Sequence, residues 1–119
     1  MTRKRIDEHS TEFGLWLREQ PEIDSGLGFV ASNLDYIWRN YKTGDWMLIE
    51  EKRNGAKCPP WQLEMFAIVT RACRGYPGFK GFHMLVFEHT NPTDGRIWLD
   101  GAEVNGHALI AFLRFAGLP

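Results

Sequence analysis

The chain has 119 residues, 44% apolar and 24% charged, with a formal net charge of −1. These values fit one globular domain spanning residues 1–119. They exclude the broadly basic balance of many nucleic-acid binders, although a local basic surface is compatible with them. No apolar run approaches the roughly 20 residues of a membrane-spanning helix. The segment MTRKRIDEHS has charges with no apolar stretch behind it, so a cytoplasmic protein without a membrane partner is expected.

Residues 10–19 read as a short amphipathic helix, with Phe13, Trp16 and Leu17 on one face and Pro21 closing it. Residues 20–28, with Pro, Asp, Ser and two Gly, read as a loop. Residues 28–39 are rich in aromatic and β-branched side chains and predict a strand. Residues 40–45 carry turn chemistry, with Gly44 at positive φ, and 46–53 predict the second strand of a β-hairpin. A helix is predicted over 60–73, opened by Pro60 and presenting Gln62, Met65, Phe66, Val69 and Cys73 on its inner face. Residues 82–88 form a nearly continuous apolar run, as expected of a central strand covered on both sides. A short strand follows at 96–99. Asn105 is placed to cap a last helix, with Leu109, Ile110 and Leu113 inward. The fold class is therefore α/β, a mixed central sheet flanked by helices.

The two cysteines, Cys58 and Cys73, lack the spacing of a metal or disulfide framework and read as reduced, partly buried thiols. The four histidines are scattered and read mostly as loop or surface residues. The five tryptophans read mostly as core.

The second hairpin strand carries the chemistry. Its apolar stretch, Trp46 to Ile49, runs straight into Glu50-Glu51-Lys52. Alternation places Leu48, Glu50 and Lys52 on one face and Met47, Ile49 and Glu51 on the other. Half-buried charges need partners or a metal ion. Folding about residues 42–44 sets Asp35 roughly opposite residue 51 or 52, so that Asp35, Glu50 and Lys52 converge. Two carboxylates, with the Glu51 backbone carbonyl as a third oxygen, suit Mg²⁺, which prefers hard oxygen ligands and retains water; Mn²⁺ would substitute. Such an ion offsets phosphate charge and lowers the pKa of a bound water, while Lys52 would stabilise charge on the scissile phosphate.

Asp35, fourteen intervening residues and then Glu50-Glu51-Lys52 resemble the D…(D/E)xK signature of the PD-(D/E)xK nuclease superfamily. Lys52 is the one lysine with an acidic residue two positions before it. Leu34 stands where the signature has proline. The resemblance, covering about residues 10–90, implies a restriction-endonuclease-like αβββαβ core. Glu12 resembles the acidic residue that many members carry on the first helix. Gln62-Leu63-Glu64-Met65-Phe66 resembles the QxxxY motif of the RecB-like branch, with Phe66 in place of Tyr.

The resemblance implies a magnesium-dependent endonuclease acting on DNA, with Asp35, Glu50, Lys52, Glu12 and Gln62 as its catalytic set. Asp35, Glu50 and the Glu51 carbonyl would be the metal ligands. Arg53, Lys57 and Trp61 are candidate nucleic-acid contacts. The size resembles that of stand-alone Holliday-junction resolvases, which implies a homodimer, branched DNA and a phage, mobile-element or repair setting. The competing expectation is a noncatalytic nucleic-acid-binding or assembly module that kept the nuclease fold.

Overall fold

The computed structural model describes residues 11–116. Arg3, Lys4 and Arg5, a local cluster of basic residues in the sequence, lie outside them. The described residues divide into two compact units, 11–32 and 33–116.

In the first unit, helix α1 spans Glu12–Arg18, starting two residues inside the predicted segment and ending one residue inside it. The Thr11 side chain caps it by accepting a hydrogen bond from the Gly14 amide at 3.0 Å. Glu12 in the first turn and Arg18 in the last both oppose the helix dipole. Two short 3-10 turns follow, Pro21–Ile23 and Ser25–Leu27. Gly28 closes the second of them at φ 101, a conformation that side chains with a Cβ resist.

The second unit is built on a five-stranded mixed sheet with strands in sequential order. Strands β1 (Tyr36–Arg39) and β2 (Trp46–Arg53) form the antiparallel hairpin. In its turn, Asn40 Oδ1 accepts from the Lys42 and Thr43 amides, and Gly44 takes φ 85. Helix α2 (Pro60–Cys73) crosses over and returns the chain as β3 (Phe79–Phe87), parallel to β2. Such a parallel return requires a crossover connection, commonly a helix. Strands β4 (Ile97–Leu99) and β5 (Ala102–Val104) complete the sheet, and α3 (Gly106–Leu113) ends the unit. The apolar run expected in a central strand is β3, third of five.

The core lies between the α3 face of the sheet and α3 itself. Met47, Ile49, Leu85, Phe87 and Ile97 pack there with Leu109 and Phe112. Leu48, buried on β2, alternates to the opposite face. On that face α2 contributes Phe66, whose ring stacks on Phe82 with centroids 4.8 Å apart. The Trp38 indole donates to the Leu113 carbonyl at 2.7 Å and ties β1 to the end of α3.

Several expectations need correction. The first strand begins at Tyr36 rather than at residue 28, since Phe29 and Val30 are exposed and pair with no neighbouring strand. Strand propensity reports a surface that fits a sheet, and no ladder extends there. Val69 and Ile110, expected to face the core, are exposed. Thr70 lies inward on α2 and donates to the Phe66 carbonyl. None of the five tryptophans is buried. Strand β5 has no apolar alternation to announce it in the sequence. Its residues pair with β4 because the Asp100-Gly101 turn folds them back.

His83 falls within the strand predicted over residues 82–88 and is not a loop residue. It lies in β3, with Nδ1 2.7 Å from Asp100 Oδ2 and Nε2 2.8 Å from the Lys80 carbonyl. The β2–β3 register shifts between Trp46 and Leu48, and Gly81 stands there at φ 96. The Lys80 carbonyl at this bulge is therefore met by the His83 ring.

Candidate active site on the hairpin

The β1–β2 register pairs Tyr36 with Ile49 and Ile37 with Leu48. Carried one residue further, it sets Asp35 opposite Glu50, one to two positions from the expected partner. Directly opposed residues share a face of the sheet, so both carboxylates lie on the face that α2 covers.

The ladder stops here because side chains replace the backbone partners. The Asp35 amide donates to Glu50 Oε1 at 3.2 Å. The Glu51 amide donates to Asp35 Oδ2 at 2.8 Å. Each backbone donor is satisfied, as a partly buried N–H must be, and each orients a carboxylate.

From Glu50 the connection continues outward. Lys52 Nζ is 3.3 Å from Glu50 Oε2 and donates to Gln62 Oε1 at 3.1 Å. Gln62 is held by α2, whose first turn is opened by Pro60. Asp35, Glu50, Lys52 and Gln62 thus form one continuous polar chain, with Cys58 joined to it through its thiol, 3.1 Å from Gln62 Oε1. Reasoning from the sequence left Cys58 out of the site. The available signal was its position four residues before Gln62, one helical turn away.

Among the described residues Glu50 is the one buried polar or charged side chain, 3% exposed. Burial pushes its carboxyl above the ordinary carboxylate range, and the Asp35 charge pushes the same way. Lys52 and the Asp35 amide oppose them. Two carboxylates converge, one of them desolvated, with a single ammonium between Glu50 and solvent. A divalent cation would relieve that excess of negative charge. The donors are hard oxygens, so the residues present fit magnesium. No group of three or more His, Cys, Asp and Glu side chains gathers among the described residues. A two-carboxylate site of this kind needs no third such side chain, because magnesium keeps several waters.

Glu51 lies on the other face, where its carboxylate accepts from the Tyr36 hydroxyl at 3.1 Å and raises the pKa of that phenol. Its side chain has a structural partner, and only its backbone faces Asp35. Arg53 ends β2, and alternation sends it with Glu51 to the face away from Lys52. Lys57 is exposed in the loop before α2, and Trp61 is 41% exposed beside Gln62. Glu12 belongs to the first unit, where it stands exposed in the first turn of α1.

Comparison of the chain with family models, with curated proteins and with solved structures returned no match. The α/β architecture and the local geometry therefore carry the functional argument. Among the described residues no helix is long and apolar enough to cross a membrane.

Proposed function

We propose that this protein is a magnesium-dependent deoxyribonuclease of the PD-(D/E)xK type, with Asp35, Glu50 and Lys52 at its centre. The observation that carries the reading is Glu50, a buried carboxylate set between Asp35 and Lys52. A desolvated charge beside a like charge is costly to keep, and such groups concentrate at functional sites. The hairpin, the α2 crossover and the parallel return of β3 support the restriction-endonuclease-like core, in which the D and ExK residues stand on adjacent strands.

Asp35 and Glu50 would hold the cation. The Glu51 carbonyl would add a third oxygen, since a residue in an antiparallel ladder turns its N–H and C=O to the same neighbour. The bound ion supplies charge neutralisation on the phosphate and a water of lowered pKa. The chain's own residues do the rest. Lys52, held by Glu50 and Gln62, presents an ammonium to a phosphate oxygen and stabilises the charge that develops there. Gln62 keeps that ammonium from folding back onto Glu50 alone. Lys57 and Trp61, both exposed near Gln62 in sequence, would meet the nucleic-acid backbone and a base or sugar.

The substrate is DNA, with branched DNA favoured, and the active species is a homodimer in which two sites cut two strands. The decisive assay incubates supercoiled, linear, single-stranded and four-way DNA with Mg²⁺, Mn²⁺ or EDTA. Cutting should require the metal and should be lost in Glu50→Gln and Lys52→Ala. If the folded protein cuts none of these substrates in either metal, the reading fails. Retention of DNA in a gel-shift assay would then identify a binding module that kept the fold.

A further inference from the structure

We infer that Cys58 is a positioning residue, whose thiol fixes the Gln62 carboxamide and through it the Lys52 ammonium. This role in catalysis rests on the nuclease reading above, whereas the underlying hydrogen bond does not.

Gln62 Oε1 receives two donors, Lys52 Nζ at 3.1 Å and Cys58 Sγ at 3.1 Å. An amide oxygen offers two lone pairs, so this pair of donors fills it. A glutamine side chain is rotamer-rich, so ordering it costs side-chain entropy. Cys58 supplies the second bond from a fixed place: it is followed by Pro59 and Pro60, whose rings restrict the backbone at the start of α2. The thiol and Gln62 stand four residues apart, so the bond is local and the loop cannot swing without moving the carboxamide.

The thiol must remain protonated to donate. Burial raises its pKa, outweighing the Lys52 charge that lowers it, and the Glu50 charge raises it further. Cys58 is thereby kept a donor rather than a nucleophile. Cys73, the other cysteine, lies at the last position of α2 and has no place in this arrangement.

Two measurements test the proposal. The first needs no activity: the S–H stretching band of the C73S protein, in which Cys58 is the remaining thiol. The band should lie at the lowered frequency of a hydrogen-bonded thiol and move to that of an unbonded thiol in C73S/Q62A. A band at the unbonded position, or one that Q62A leaves unchanged, overturns the proposal.

The second measurement is cleavage kinetics. C58A and C58V should each lower kcat about tenfold, the effect of one lost hydrogen bond, with KM nearly unchanged. C58S, which keeps a donor, should recover most of the rate. In a Q62A background C58A should cost nothing more. Equal rates in wild type and C58A, or effects of C58A and Q62A that multiply, overturn it. Wild type with a hydrogen-bonded thiol but no metal-dependent cutting would refute the nuclease reading and the catalytic role with it, and leave only the Cys58–Gln62 bond.

Discussion

The backbone amide of Asp35 donates to the Glu50 carboxylate at 3.2 Å, at the point where the hairpin ladder ends. A side chain has taken the place of a main-chain acceptor, and the next amide along β2, that of Glu51, is in turn met by Asp35. The site is therefore part of the hairpin's hydrogen bonding rather than an addition to it. Substitutions at these positions should alter both stability and activity, in directions that the electrostatics set.

Glu50 has a raised pKa in the folded protein, so it binds a proton at higher pH than in the unfolded chain. Its favourable contribution is fully present below the unfolded value and is lost as pH rises through the folded one. In EDTA, wild type should gain stability on acidification through the window between those two values. Glu50→Gln should be flat there and should melt at a higher temperature than wild type at neutral pH. Thermal melts of both proteins across that window check it; parallel curves would sink the assignment.

Binding of the proposed Mg²⁺ would reverse the sign, because an ion that binds only the folded state stabilises it. At a Mg²⁺ concentration of 100 Kd the gain is about 2.7 kcal/mol. Asp35→Asn keeps an oxygen for the Glu51 amide and removes the ligand charge. The variant should lose the Mg²⁺-dependent rise in Tm and about 10²-fold or more of the cleavage rate. Equal Mg²⁺ shifts in wild type and variant would show that the ion binds elsewhere.

Gly78 and Gly75 provide a matched pair in the connection between α2 and β3. Both have positive φ, 81 and 94. A Cβ on Gly75 meets nothing within 4 Å, whereas one on Gly78 would stand 2.1 Å from the Gly44 carbonyl oxygen. Gly75→Ala should cost the left-handed penalty alone, about 1–2 kcal/mol. Gly78→Ala must also displace the hairpin turn and lengthen the bond from the Trp46 amide to the Gly78 carbonyl, now 2.9 Å. Denaturant titration should show a cost at least about 1 kcal/mol above that of Gly75→Ala. Equal costs would contradict the close approach.

Asp100 is a non-glycine residue at φ 50, held by what its carboxylate does. One oxygen accepts from the Met84 amide at 2.8 Å and the other meets His83. Asp100→Ala should destabilise by about 1–3 kcal/mol, leaving the Met84 amide without this acceptor. Asp100→Asn, which tolerates positive φ and retains an acceptor, should cost less. A reversed order in chemical denaturation would refute the turn's dependence on the carboxylate.

Sequence alone determined what local chemistry controls. Pro60 and the periodicity after it bounded α2, Asn105 announced the cap of α3, and the change from apolar residues to Glu50-Glu51-Lys52 singled out one strand face. It also brought Gln62 forward as a helper, through its place at the start of α2.

Tertiary structure decided the rest. Residues 28–35 have strand-like composition, yet they form no strand; whether a ladder extends depends on a neighbouring strand, not on propensity. The hairpin register differs by one or two positions from the expected one, and it brings Asp35 and Glu50 together through the bonds of their side chains. Burial of Glu50, and hence its displaced pKa, arises from elements far apart in the chain closing around it. The thiol of Cys58 joined the site for the same reason: Gln62 acquires its role only once α2 lies over β2 and brings Lys52 within 3.1 Å.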